Sequence, residues 1–202
     1  MSARNERSRL IALAVAAVLA IVLAGFGGWL VFGRSGDGNA GVAIGGPFSL
    51  VDKDGHPFTD RNLLGRYALI YFGYTYCPDV CPTTLNSVGA ALDLLGPQAA
   101  RLRAVFITID PQRDTPKVVG DYVAAFSPRL LGLTGTPEQV AAVTDAYRVY
   151  AARHKTGPGP GDYTMDHSSL LYLMAPDGHF VAPIRADQTA AAMATEIKAD
   201  MT

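Results

Sequence analysis

Little in this sequence points to nucleic acid, haem or structural zinc. The 202 residues carry 17 Lys and Arg against 18 Asp and Glu, a formal net charge of -1, and charged residues make up only 17% of the chain. Nucleic-acid binding normally demands a basic face, and this balance gives none. Only two cysteines are present, Cys77 and Cys81. A closed structural zinc site needs four strong ligands and would have to find two histidines as well. The C-x-x-C-H pattern of haem attachment is missing. No cysteine closely follows the apolar N-terminal run, which excludes anchoring by a lipid on an N-terminal cysteine. There is no internal repeat.

What is present begins with that apolar run. Residues 10–32 carry no charge, and at about 1.5 Å per residue they cover the roughly 30 Å hydrocarbon core of a bilayer with some tilt. A cleavable signal has an apolar region of only about 7 to 15 residues, so an uncleaved transmembrane anchor is expected. Ala40 and Ala43 keep a removed signal as the competing reading. Arg4, Arg7 and Arg9 precede the run, whereas only Arg34, offset by Asp37, follows it closely. By the positive-inside rule the N-terminus stays in the cytoplasm. A stretch this short before the run is not a transit sequence, so the expected location is a bacterial inner membrane with the C-terminal domain in the periplasm. Residues 1–9 are then the cytoplasmic N-terminus, 10–32 the anchor, 33–46 a glycine-rich linker and 47–202 the folded domain. The linker's random-coil reach is on the order of 20 Å.

Beyond the linker, strand and helix signals alternate. Residues 48–51 lead to a turn at Asp54 and Gly55, and the apolar run 67–72 reads as a central strand. Over 84–95 the residues Leu85, Val88, Ala91, Leu92 and Leu95 form a helical stripe, and 102–109 is the next buried strand. Thr115 and Pro116 open another helix, and Thr136 with Gln139 opens a third at 137–147. Residues 169–174 and 179–184 form a hairpin across Pro176, Asp177 and Gly178, and a last helix spans 189–201. This order predicts an α/β fold, a thioredoxin-like mixed sheet flanked by helices, with an N-terminal transmembrane helix.

The cysteines lie where the central strand runs out through Gly73, Tyr74, Thr75 and Tyr76 into Cys77-Pro78-Asp79-Val80-Cys81-Pro82, just before a helix. Functional groups of open α/β sheets gather at the carboxyl ends of strands. Cys81 is expected at the positive end of the helix, where its pKa should fall. Two thiolates on one short loop can bind a soft metal, cycle between dithiol and disulfide, or form a staple. A bridge over so short a loop removes little chain entropy, which makes the staple weak. A third ligand must come from His56, His154, His167 or His179. His56 and His179 sit at turns, and His154 lies beside Arg153 and Lys155 in a polar stretch. His167 leads into an apolar strand, where a loop can bring its ring over the sheet edge, although a histidine satisfied by a neighbour remains the plainer reading.

Three stretches in order carry a resemblance. Residues 73–82 around Cys77 and Cys81, Ile109-Asp110-Pro111-Gln112-Arg113-Asp114-Thr115-Pro116, and 162–169 around Asp166, His167 and Ser168 resemble the signature stretches of the Sco/SenC family. The resemblance spans roughly Gly46 to the C-terminus. It implies a thioredoxin-fold copper protein that helps assemble the dinuclear copper centre of cytochrome c oxidase, with metal ligands on Cys77, Cys81 and His167. The oxidase's copper-centre subunit is the implied partner, with other periplasmic copper chaperones or thiol reductants as further candidates. Two thiolates select Cu+, and an added imidazole lets the site hold Cu2+. A Cys77–Cys81 disulfide could not ligate, so redox state should gate loading. Thiol-disulfide oxidoreduction without copper delivery is the alternative, and a peroxidase would require rapid thiolate attack on peroxide. Asp110, Arg113 and Asp114 read as a turn and a capped helix, or as positioning groups for the site. Asp166 is a candidate acceptor for His167, and Tyr74 and Tyr76 are candidates for docking or packing.

Overall fold

The structure, a computed structural model, describes residues 43–201. The anchor expected at 10–32 and most of the linker lie outside these residues, and among the described residues no helix is long and apolar enough to cross a membrane. The chain opens with a small antiparallel pair, β1 (Ser49–Val51) and β2 (Pro57–Thr59), turning at Gly55 with φ +79°. A short 3-10 turn then leads to β3 (Tyr67–Gly73). Every residue of β3 is buried, which is why it reads as an unbroken apolar run rather than an alternating one: helices cover both faces.

From β3 the chain passes through the cysteine loop into α1 (Val80–Leu94), then by a second 3-10 turn to β4 (Leu102–Thr108). Helix α2 (Pro116–Ala124), β5 (Leu130–Leu133) and α3 (Pro137–Ala146) follow. Thr115 caps α2 by accepting from Val118 N–H, and Thr136 and Gln139 form the reciprocal capping box of α3. Strands β6 (Ala151–Lys155) and β7 (Tyr163–His167) form a second hairpin outside the main sheet. The chain closes with β8 (Leu170–Met174), β9 (Phe180–Arg185) and α4 (Ala190–Asp200).

The main sheet has the order β5-β4-β3-β8-β9, with β3, β4 and β5 parallel and β8 and β9 antiparallel. The mixed sheet flanked by helices is therefore the one the sequence predicts. Three elements differ. β5 is not foreseen by the sequence pattern, the segment leading to His167 is the strand β7 rather than a loop, and the polar stretch holding His154 is a strand, because its cross-strand partner β7 satisfies its backbone although its side chains are largely exposed. The segments bearing the cysteines and His167 emerge from the sheet at one end. β3 delivers the cysteine loop there by its carboxyl end, and β8, antiparallel to it, receives the chain from His167 at the same level, since Tyr71 pairs with Leu171. Fully buried Tyr71, Phe72, Phe106 and Leu171, at roughly 1.5–3 kcal/mol for each large apolar side chain, make that end rigid.

Candidate metal centre

The cysteine loop is set by the strand-to-helix transition. Cys77 N–H donates to the Tyr74 carbonyl, and α1 begins at Val80, so Cys81 and Pro82 both fall in its first turn. Proline is tolerated there because first-turn N–H groups have no intrahelical acceptor. Gly73 ends β3 and makes room: a Cβ built on it would lie 2.8 Å from Cys81 Sγ and 2.9 Å from the Phe106 ring. Only a residue without a side chain lets the thiol sit this close to the strand end.

His167 arrives from the other side, as the last residue of β7. Its Nε2 lies 3.4 Å from Cys81 Sγ, and the donor atoms of Cys77, Cys81 and His167 all fall within 4.8 Å of one another. The predicted trio is thus brought together from segments 86 residues apart. Nδ1 of His167 donates to the Ser168 carbonyl at 3.0 Å, which fixes the ring so that Nε2 faces the sulfurs. Asp166 does not serve as that acceptor. Its carboxylate turns outward to His154 Nε2, 2.9 Å away.

The ring of His167 is held by edge contacts to Tyr71 and Tyr74, each with centroids 6.1 Å apart. Tyr71 O–H also donates to Cys81 Sγ at 3.7 Å. The two tyrosines of the loop divide their roles: Tyr74 is 3% exposed and packs on the imidazole, whereas Tyr76 is 63% exposed. Beside the loop lies a cavity of about 500 Å3 lined by Asp79, Val80, Thr83, Thr84, Ser169 and Leu170 among others.

The two thiols differ in acidity, and in the opposite sense to the sequence expectation. Cys77 is held far down, to about 3, chiefly by hydrogen bonding from Cys81, with His167 and the Cys81 and Asp79 backbone adding to it. The Cys81 N–H, in the helix's first turn, points at Cys77 Sγ 3.4 Å away. Cys81 itself is pushed up, by its hydrogen bond with Cys77 and by burial. The positive end of α1 therefore acts on Cys77, three residues before the helix, while Cys81 is already inside its first turn and wholly buried.

The remaining histidines stay apart. His56 lies in the β1–β2 turn with half-buried Asp52, which accepts from backbone N–H groups, and exposed Asp54, which is engaged by Lys53. His179 pairs with Asp177 at 2.6 Å. Asp110 and Asp114, in contrast, are buried at the carboxyl end of β4. Asp114 accepts from Thr75 N–H at 3.0 Å and from the hydroxyls of Thr75 and Thr108, both at 2.6 Å, tying the cysteine loop to β4. From the sequence these read as turn and cap residues or as positioning groups for the site, and the bonds of Asp114 to Thr75 fit the second reading. The signal passed over is that the first and third stretches carry tyrosines, Tyr74 and Tyr76 in one and Tyr163 in the other, while the second carries Arg113, which lies between them in space.

Two thiolates and one imidazole at a loop edge suit soft or borderline metals, copper among them, and leave positions for an incoming ligand. Comparison with known proteins agrees with that chemistry. Residues 36–202 match the family model described as SCO1/SenC. Protein SenC of Rhodobacter capsulatus is 45% identical over 143 residues, covering 71% of this chain and 64% of that protein. Protein SCO1 homolog 1, mitochondrial, of Arabidopsis thaliana is 44% identical over 149 residues, covering 73% of this chain but only 44% of that protein. The structure of Bradyrhizobium japonicum ScoI with copper bound aligns with a TM-score of 0.73 at 46% identity, over 79% of this chain and all of that one. The chain belongs to the SCO1/SenC family.

Proposed function

We propose that this protein carries one copper ion on Cys77, Cys81 and His167 and delivers it to the dinuclear copper centre of cytochrome c oxidase, whose copper-centre subunit is its partner. The observation that carries the reading is the convergence of three donor atoms within 4.8 Å, in a chain 46% identical to a relative whose structure holds copper. The ion is cargo. Few ligands at a loop edge allow it to leave by stepwise exchange onto an acceptor's sulfurs or imidazoles. The apolar run 10–32 would hold the chain in a bacterial inner membrane with residues 47–202 in the periplasm, within reach of the acceptor.

The test is anaerobic titration of the reduced full-length chain with copper. We expect one equivalent bound, a thiolate-to-Cu2+ charge-transfer band, loss of that band in Cys77→Ser and Cys81→Ser, and at least about tenfold weaker Cu2+ binding in His167→Ala. Unchanged stoichiometry and affinity in the histidine variant would overturn the three-ligand site. A second role draws on the split acidity of the thiols. A low-pKa, partly exposed Cys77 beside a buried Cys81 is the pattern of an attacking and a resolving thiol, and suits reduction of the acceptor's own cysteines before metal transfer. Oxidase assembly supported by His167→Ala at low copper would favour reduction over delivery.

A further inference from the structure

Three segments meet at one guanidinium. Arg113, in the turn after β4, lies 3.6 Å from the ring centroid of Tyr163, 4.7 Å from that of Tyr76 and 5.8 Å from that of Tyr74. Its Nε donates to Asp110 Oδ2 at 2.5 Å, and its Nη1 donates to the carbonyls of Tyr163 at 3.0 Å and Gly161 at 3.3 Å. The other oxygen of Asp110 accepts from Tyr163 O–H at 2.7 Å. Arg153 lies over the Tyr163 ring as well, at 4.0 Å, and is itself held by Gln112. Tyr74 and Tyr76 belong to the loop that carries Cys77. Tyr163 and Gly161 belong to the hairpin that carries His167.

The β6–β7 hairpin needs such a tie. It pairs with no strand of the main sheet, and its side chains are mostly exposed or half-buried, with Tyr163 its one buried residue. Its placement over the cysteines therefore depends on few contacts: the imidazole packing on Tyr71 and Tyr74, Met165 against the core, the pairing of Ser168 with Tyr150, the Arg153–Gln112 bond and the Arg113 cluster. The last joins the hairpin to the turn after β4 through charge-assisted bonds, which are the strong ones, and to the cysteine loop by stacking on Tyr74 and Tyr76. A planar, forked cation can stack on several rings while donating in its own plane, and a lysine cannot do both.

We propose that Arg113 is the positioning residue that sets His167 over Cys77 and Cys81, and so controls how well the site holds Cu2+ relative to Cu+. This rests on the copper-site reading above. Cu+ is satisfied by the two thiolates, which share one loop and keep their spacing without the hairpin, whereas Cu2+ needs the imidazole as well. Arg113 touches neither the sulfurs nor the imidazole. It acts on the angle and distance at which the imidazole is presented.

The experiment compares the parent, Arg113→Ala, Arg113→Lys and His167→Ala as full-length reduced chains. Hydrogen exchange is followed without copper, and Cu+ and Cu2+ affinities are measured by competition. For Arg113→Ala we expect faster exchange across residues 151–167 with the protection of β3 and β4 kept. We also expect a fall of at least about tenfold in the ratio of Cu2+ to Cu+ affinity and a shifted thiolate-to-Cu2+ band, approaching His167→Ala. Arg113→Lys should resemble the alanine variant. Full rescue by lysine would mean that charge alone matters and would overturn the proposal, as would equal loss of both affinities or unchanged hairpin exchange. If Arg113→Ala does not fold, Tyr163→Leu removes the stacking partner from the hairpin side and must give the same change in ratio. A parent with no thiolate-to-Cu2+ band would instead sink the copper-site reading itself.

Discussion

At the scale of single residues, the site is governed by who faces the start of α1. The Cys81 N–H and thiol both serve Cys77, so negative charge settles on the more exposed sulfur and the buried one keeps its proton. An ordinary cysteine ionises near about 8.5, so its alkylation rate climbs steeply through neutrality. Because the Cys77 pKa is lowered, its thiolate persists as pH falls and is lost only as pH approaches about 3. In the copper-free reduced chain, iodoacetamide should therefore modify Cys77 first, at a rate nearly flat from about pH 5 to pH 8, with Cys81 silent. Peptide mapping after timed alkylation reads this directly, and a rate rising about tenfold per unit between about pH 5 and pH 7 would show that Cys77 is an ordinary thiol. The three residues that converge were legible in the sequence because the motifs carry them. The sense of the acidity difference was not, because it depends on whether α1 starts before or after Cys81, a matter of two residues that propensity does not resolve.

At the scale of elements, the sequence revealed the strands and helices whose pattern is strong: β3, β4, α1, the capped α2 and α3, and the β8–β9 hairpin. It missed β5, only four residues long, β7, read as a loop, and β6, whose Ala151-Ala152-Arg153-His154-Lys155 has no apolar face to alternate against. Strand β6 forms because β7 offers it a ladder, which is tertiary context rather than local preference. The connection between elements was equally hidden: Asp114 reads as a turn residue, yet it is the acceptor that seats Thr75 of the cysteine loop. Burial raises its carboxyl pKa, and the bonds from Thr108 and Thr75 work against that rise. Asp114→Ala would leave the Thr75 N–H without its acceptor and the two hydroxyls to find others. The expected cost is about 1–3 kcal/mol, seen as a lower urea midpoint with an unchanged slope. A change below about 0.5 kcal/mol, the range of an indifferent surface substitution, would show that the loop seats itself without β4.

At the scale of the whole molecule, a rigid mixed sheet presents two ligand segments of unequal firmness at one end. The cysteine loop is continuous with β3 and α1 and tied to β4. The hairpin bearing His167 is outside the sheet. A metal bound to all three residues closes a link between positions 77 and 167 that the unfolded chain lacks, so binding must appear as stability. With one site, no affinity for the unfolded chain and free ion at about 1,000 times Kd, the gain is about 4 kcal/mol. Any binding of copper to the unfolded thiols reduces it. Thermal unfolding of the reduced chain should therefore shift upward on loading and return on adding a chelator. The shift should be larger for Cu2+ in the parent than in His167→Ala, because only the parent couples the hairpin to the sheet. Stoichiometric loading with no shift in either oxidation state would mean that the folded and unfolded chains bind copper equally. The convergence at the sheet end would then contribute nothing to affinity, and the ion would be held by a short dithiol peptide that happens to sit in a fold.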